Sequence, residues 1–264
     1  MSTTTTITAA TVPVPVPRAM ELVSTSGQSP APPDPEHAQP SEPNKVTTAM
    51  ILATVTGVTT ISSLLGGVVI VSLPEMAKDL PLSESVILWP ASIYALTCGC
   101  TLIIAGTVAD VVGNRFMYLL GTLLQSAFTL ACGLSRNSLQ LLVSRALAGI
   151  AIAFCLPSAV SLITLYFPHG RSRNVAFAAM GSGQPIGFSI GLAVGGVLAD
   201  GPGWRTSFYI ASAANTVLLG IGILGLPKSP QQYHHLLRRL ATEVDWPGAL
   251  TLSTSLGLLS YVFA

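Results

Sequence analysis

Few side chains in this sequence could do chemistry, and their types narrow what that chemistry is. Across six long apolar runs the one charged side chain is Arg145. His169, His234 and His235 fall between runs without metal-ligand spacing, and Cys98, Cys100, Cys132 and Cys155 sit inside runs without a CxxC pair. Neither a zinc site nor a disulfide framework is therefore indicated. No Ser–His–Asp set, carboxylate pair or phosphate cradle shares a single wet site, so no catalytic residue, metal or cofactor is expected. What remains is a polar corner, Gly106–Arg115, holding Asp110 and Arg115 between Gly106 and Gly113, together with glycines recurring every four residues at Gly183, Gly187, Gly191 and Gly195.

The corner occurs twice. GTVADVVGNR at Gly106–Arg115 returns as GVLADGPGWR at Gly196–Arg205, with Gly106/Gly196, Ala109/Ala199, Asp110/Asp200, Gly113/Gly203 and Arg115/Arg205 identical. The same offset superposes the flanking runs: Met50–Leu73 on the start of Leu139–Phe167, Val86–Ala109 on Val175–Ala199, and Phe116–Leu134 on Thr206–Leu226. The chain reads as two copies of a three-helix unit.

The solvent of those helices is lipid. Half of the 264 residues are hydrophobic and 9% are charged, against about a quarter in soluble domains, and mean hydropathy is +0.64. Crossing a bilayer core of ~30 Å takes ~20 apolar residues, which each of the six runs supplies to within a residue. Lipid cannot satisfy backbone N–H and C=O groups, so the runs are helices or barrel strands, and their lack of strict alternation excludes a barrel. Pro157 and Pro185 are expected to kink spans 4 and 5. A net charge of +1 gives no nucleic-acid footprint. Residues 1–45, rich in Thr, Ser and Pro, have little to bury and are expected to be a disordered tail. With that tail cytosolic, Lys45, Arg115, Arg171, Arg173, Lys228, Arg238 and Arg239 lie inside and only Lys78, Arg136 and Arg205 outside, as the positive-inside rule requires. Trp89, Trp204 and Trp246 fall at expected water–lipid boundaries. Residues 227–246 read as a cytosolic linker, in which Leu236, Leu237 and Leu240 either form the apolar side of a short helix lying on the cytosolic surface or belong to a solvated connection. A seventh run, 247–264, is barely a crossing, and the expectation is a truncated span.

These motifs resemble the major facilitator superfamily. Gly106-x-x-x-Asp110-x-x-Gly113-x-Arg115 resembles its signature loop, Arg145-x-x-x-Gly149 a motif of its drug:proton antiporter branches, and Gly187-x-x-x-Gly191-x-x-x-Gly195-Gly196 its antiporter motif. Leu73–Pro74, Gly203–Arg205 and Asp245–Gly248 resemble fourteen-span fungal efflux pumps of the aminotriazole-resistance type. The resemblance covers about residues 46–264. It implies an all-α membrane protein: a six-helix bundle (46–226) of two inverted three-helix repeats, since nested 3+3 inverted repeats are the superfamily's pattern, plus an incomplete seventh span. Three departures stand out: Asn114 replaces a basic residue, Leu192 replaces a proline, and Leu65 stands where many fourteen-span drug pumps carry an Asp.

The resemblance implies roles for these residues, and the residues themselves leave alternatives. Asp110 either latches onto a helix N-terminus of a second bundle or pairs locally with Arg115. Arg145 either snorkels to the outer interface or faces a wet cavity. The glycine ridge lets a neighbouring helix approach closely, and the resemblance adds a gate. The expected function is efflux-type transport of a small organic molecule or ion by alternating access, as the N-terminal half of a carrier in the plasma membrane. A second bundle or self-association would complete it. The alternative is a truncated, non-transporting remnant or a membrane scaffold.

Overall fold

The computed structural model describes residues 45–80, 87–227 and 246–263. They form seven helices: α1 (Lys45–Asp79), α2 (Trp89–Val112), α3 (Asn114–Leu134), α4 (Ser138–Tyr166), α5 (Arg171–Asp200), α6 (Trp204–Gly225) and α7 (Trp246–Phe263). The first six are long and apolar enough to cross a membrane. No strand occurs among the described residues. The expected tail, and the linker with its Leu236, Leu237 and Leu240, lie outside them. Helix α1 runs through Pro74 and stops six residues beyond the expected end of its run. Pro157 and Pro185, expected to kink their spans, sit inside α4 and α5 without interrupting either helix.

Both repeated corners use one device. Gly113 is the single residue between α2 and α3, with φ 117°, and Gly203 opens α6 with φ 91°. Those angles put the backbone where a Cβ would clash, which is why glycine recurs at both places. Gly113 N–H donates to Ala109 O at 2.9 Å, and Gly203 N–H to Leu198 O at 2.9 Å.

Packing follows the repeat. Helix α1 lies against α5 and α6, α4 lies against α2 and α3, and α3 lies against α6. Exchanging the triplets (α1 for α4, α2 for α5, α3 for α6) turns the α1–α5 contact into α4–α2 and α1–α6 into α4–α3, and leaves α3–α6 unchanged. That is the contact pattern of a two-fold axis between inverted halves. The core divides in two along the same axis. One apolar cluster includes Val58, Tyr118 and Leu162, near the Gly113 corner. The other includes Leu65, Cys132, Trp204 and Phe208, near the Gly203 corner. The two corners therefore cap opposite ends of the bundle.

Two further contacts refine the picture. Trp204, expected in an interfacial belt, is only 1% exposed. Its indole N–H donates to Asp79 Oδ2 at 3.0 Å, and its ring meets Phe208 edge-on, so it fastens the end of α1 to the start of α6 instead of facing lipid. Helix α7 lies along α2. Its small residues Ala249 and Ser253 are buried, and a Cβ on Gly257 would stand 2.8 Å from Cys100 Sγ. On the outside, Val197 and Leu224 are 73% and 83% exposed, which suits hydrocarbon and not water.

Opposite ends of the bundle mean opposite sides of the membrane. With the four native cysteines removed, single cysteines at Asn114 and at Pro202 should react with a membrane-impermeant maleimide from opposite faces of sealed vesicles. Labelling of both from one face would contradict the inverted arrangement.

Candidate functional site: two glycine seams around a polar-walled cavity

The ridge on α5 meets α1 backbone to backbone. A Cβ on Gly187 would strike the Thr60 carbonyl oxygen, and one on Gly191 the Leu64 carbonyl oxygen. On Gly195 it would lie 2.8 Å from Val68 Cα, and on Gly183 2.5 Å from Thr60 Oγ1. Contacts advance together along both chains, so α1 and α5 run parallel. Gly67 answers from the other side, where a Cβ would be 2.8 Å from Leu192 N. Gly196 is not part of this contact; its nearest neighbour, Val71 Cγ1, is 3.9 Å away.

The twin seam, α4 on α2, is built differently. A Cβ on Gly149 would strike Thr97 Oγ1 and the Tyr94 carbonyl oxygen. The Thr97 hydroxyl lies 2.9 Å from Ala146 O across the seam, a proton it shares with carbonyls of its own helix. Gly106 makes an ordinary contact, 3.7 Å to Pro157 Cβ.

Arg145 projects from this second seam into the bundle. It is 3% exposed, with its guanidinium carbon 5.4 Å from the ring centres of both Tyr94 (α2) and Phe208 (α6). It does not snorkel. Its Nε has no hydrogen-bond partner, and no carboxylate pairs with it among the described residues. An arginine at mid-span costs ~2.5–3.5 kcal/mol on insertion scales. Two desolvated ring faces at ~2 kcal/mol each are large enough to offset that.

Beside it lies a cavity of about 210 Å³. Its polar wall is Thr59, Ser62 and Ser63 of α1, Tyr94 of α2 and Gln184 of α5; its apolar wall is Ile152, Leu156 and Phe188. Arg145 does not line it; Tyr94 connects the two. Behind the wall, buried Gln125 of α3 donates through Nε2 to Tyr94 Oη at 3.4 Å and Ser62 Oγ at 3.5 Å. In each of α1 and α3 this polar layer falls between the residues of the two apolar clusters.

The first corner is arranged otherwise than a local pair. Arg115 Nη2 donates to Ile223 O at 3.2 Å, at the end of α6. Asp110 is exposed, with no partner among the described residues. The structure thus gathers Arg145 and Gly149 on the inner seam and Gly187, Gly191 and Gly195 on the other. It leaves Asp110, Gly113 and Arg115 at the bundle's end, with Gly106 on the α4–α2 seam against Pro157. Sequence reasoning missed Ser62, Tyr94, Gln125 and Gln184. The signal was present in α3, where Tyr118, Thr122, Gln125, Thr129 and Cys132 recur at helical spacing and are all buried.

Six membrane-length helices in two inverted triplets, with a polar-walled cavity to which both triplets contribute, define a membrane-embedded helical bundle. The sequence pattern of the Major Facilitator Superfamily matches residues 55–263. The chain is 38% identical to "MFS-type transporter 1" of Pyricularia oryzae over 270 residues, 91% of this chain and 43% of that protein. It is 31% identical to "Puromycin resistance protein pur8" of Streptomyces alboniger, over 75% of this chain and 38% of that protein. The fold matches a crystal structure of the peptide transporter POT in complex with sulfate, with a TM-score of 0.62 at 22% identity, covering 81% of this chain and 46% of that one. The chain belongs to the major facilitator superfamily and spans less than half the length of the relatives it matches. It is an integral membrane protein of a transporter family.

The glycine contacts make a differential prediction. Gly187→Ala and Gly191→Ala should push α5 off α1, costing ~1–3 kcal/mol as overpacking does and lowering the melting temperature of the purified protein. Gly196→Ala should leave it unchanged or raise it slightly, since alanine is the better helix former.

Proposed function

We propose that this bundle is one half of an efflux-type carrier that binds a small organic substrate between α1, α2, α4 and α5 and moves it by alternating access. The observation that carries the reading is the cavity itself, because helices of both inverted triplets supply its walls. Superfamily carriers place substrate at the repeat interface near mid-membrane. At about 210 Å³ the cavity is smaller than the ~300 Å³ lower end of whole ligand pockets, a size that suits one side of a site shared with a second bundle. That bundle, in the same protein or in another copy, is what rocking requires.

In this reading Asp110, free of local partners, is the latch toward the second bundle, and Gly106, Gly113 and Arg115 hold the corner that presents it. Gly187, Gly191 and Gly195 form a seam that shears, with Gly196 at its edge. Arg145 and Gly149 set the polarity and spacing of the inner seam. The efflux direction is supported by the drug-resistance relative and by the antiporter-like glycine motif. The lipid is the plasma membrane, with residues 1–45 on its cytosolic side.

The test is transport. Expressed in yeast lacking its own drug pumps, the protein should lower accumulation of at least one compound in a panel of toxic small organic molecules. Arg145→Ala, at equal abundance in the membrane, should restore it. Unchanged accumulation of every compound would overturn the efflux assignment, and full export by Arg145→Ala would remove Arg145 from the mechanism.

A further inference from the structure

The cavity's hydrogen bonds and the charges around it together point to one kind of ligand. Gln125 Nε2 donates to both Ser62 Oγ and Tyr94 Oη. Each hydroxyl oxygen is thus already an acceptor; one of their two protons joins Tyr94 to Ser62, and the other is left to donate elsewhere. Both residues line the cavity, so the pair offers it an O–H donor. A bound molecule satisfies it with an acceptor: a carbonyl, ester or carboxylate oxygen. Across the cavity Ile152, Leu156 and Phe188 provide an apolar face for the remainder of the molecule.

The charges point the same way. Arg145 shares Tyr94 with the cavity and lies seven residues from Ile152, about 10 Å along α4. It is buried without a carboxylate partner, so its charge is weakly screened inside the bundle. The described acids are all more remote along their helices. Asp110 is about 18 Å from the level of Cys98, Asp200 about 18 Å from that of Phe188 and Asp79 about 20 Å from that of Gly66. Glu75, about 13 Å from Gly66, is paired with Lys78 at 3.3 Å. The potential in the cavity is therefore positive, and an ammonium or amidinium meets repulsion from Arg145 as well as the donor of the Ser62–Tyr94 pair.

We infer that the cavity selects small organic molecules presenting a hydrogen-bond acceptor beside an apolar face, either uncharged carbonyl compounds or carboxylates, and rejects organic cations. This rests on the reading that the cavity takes substrate, and one experiment separates the two. Benzamide, benzoate and benzamidine have nearly the same shape and differ in charge and in acceptor. Their binding to the purified full chain in lipid nanodiscs is measured by ligand-observed NMR, with empty nanodiscs subtracted. Benzamide and benzoate should bind at least tenfold more tightly than benzamidine. Tyr94→Phe should weaken both at least threefold. Gln184→Glu, a change at an exposed position on the rim, should shift the ranking toward benzamidine without threatening the fold. Binding with benzamidine equal or tighter in the unmodified protein, or a ranking untouched by Gln184→Glu, overturns the selectivity alone. No binding by any of the three overturns the assignment of this cavity to substrate, and the selectivity with it.

Discussion

Helix α5 can reach α1 only because four of its residues have no side chain. Gly183, Gly187, Gly191 and Gly195 place its backbone against Thr60, Leu64 and Val68 at distances no Cβ would allow. In lipid the apolar effect gives helices no reason to associate, so contact area and close approach must do so. Removing side chains from one ridge lets dispersion act between two whole backbones. The contact of α1 with α6, where a Cβ on Gly225 would stand 2.6 Å from Met50 Cβ, extends the same economy of small residues. A bundle of this shape follows from where the glycines fall.

The polar interior obeys a second constraint. Between its apolar clusters the bundle holds Ser62, Gln125, Ser126, Ser212 and Arg145 away from lipid. Some are well satisfied: Ser126 Oγ lies 2.6 Å from Thr216 Oγ1, and Ser212 Oγ donates to Ser126 O at 2.9 Å, joining α3 to α6. Others are not. Gln125 Oε1, Arg145 Nε and both amide atoms of the fully buried Asn215 have no partner. A buried unmatched polar group costs about 1–3 kcal/mol, so a layer of them is expensive unless it serves binding or admits water. The cavity lies against that layer, which is why the functional reading centres there and not on the glycine-rich corners.

Much of the fold was legible in the sequence, because lipid leaves little choice. Six apolar runs became six helices, and the duplicated Gly–Asp–Gly–Arg corners became two positive-φ turns at opposite ends. Arg145 was legible as the one charge within the runs, yet its position between Tyr94 and Phe208 depends on three helices converging and could not be read from α4 alone. Trp204 misled: its place at a helix start suggested an aromatic belt, but Asp79, 125 residues earlier, draws the indole inward. The cavity residues were missed because serine, threonine and glutamine carry no charge to mark them in an apolar run. Only the helical spacing of Tyr118, Thr122, Gln125 and Thr129 on α3 gave that face away.

The two seams are related by the repeat but are not alike, and the difference bears on how such a bundle could move. Along α1, the side-chain hydrogen bonds of Thr59 and Thr60 close within the helix, and Ser62 turns toward α3. From Thr60 to Val68 the α1–α5 seam is thus backbone against backbone, with no interhelical side-chain hydrogen bond there to break if one helix slid on the other. The α4–α2 seam carries the Thr97–Ala146 hydrogen bond and the Arg145–Tyr94 contact, both of which hold register. Small shear of packed helices is one established way for domains to change shape. If the α1–α5 seam slid while the α4–α2 seam held, the two-fold scaffold would give that shear a direction, and Phe188 and Gln184, both on α5, would carry one wall of the cavity with it.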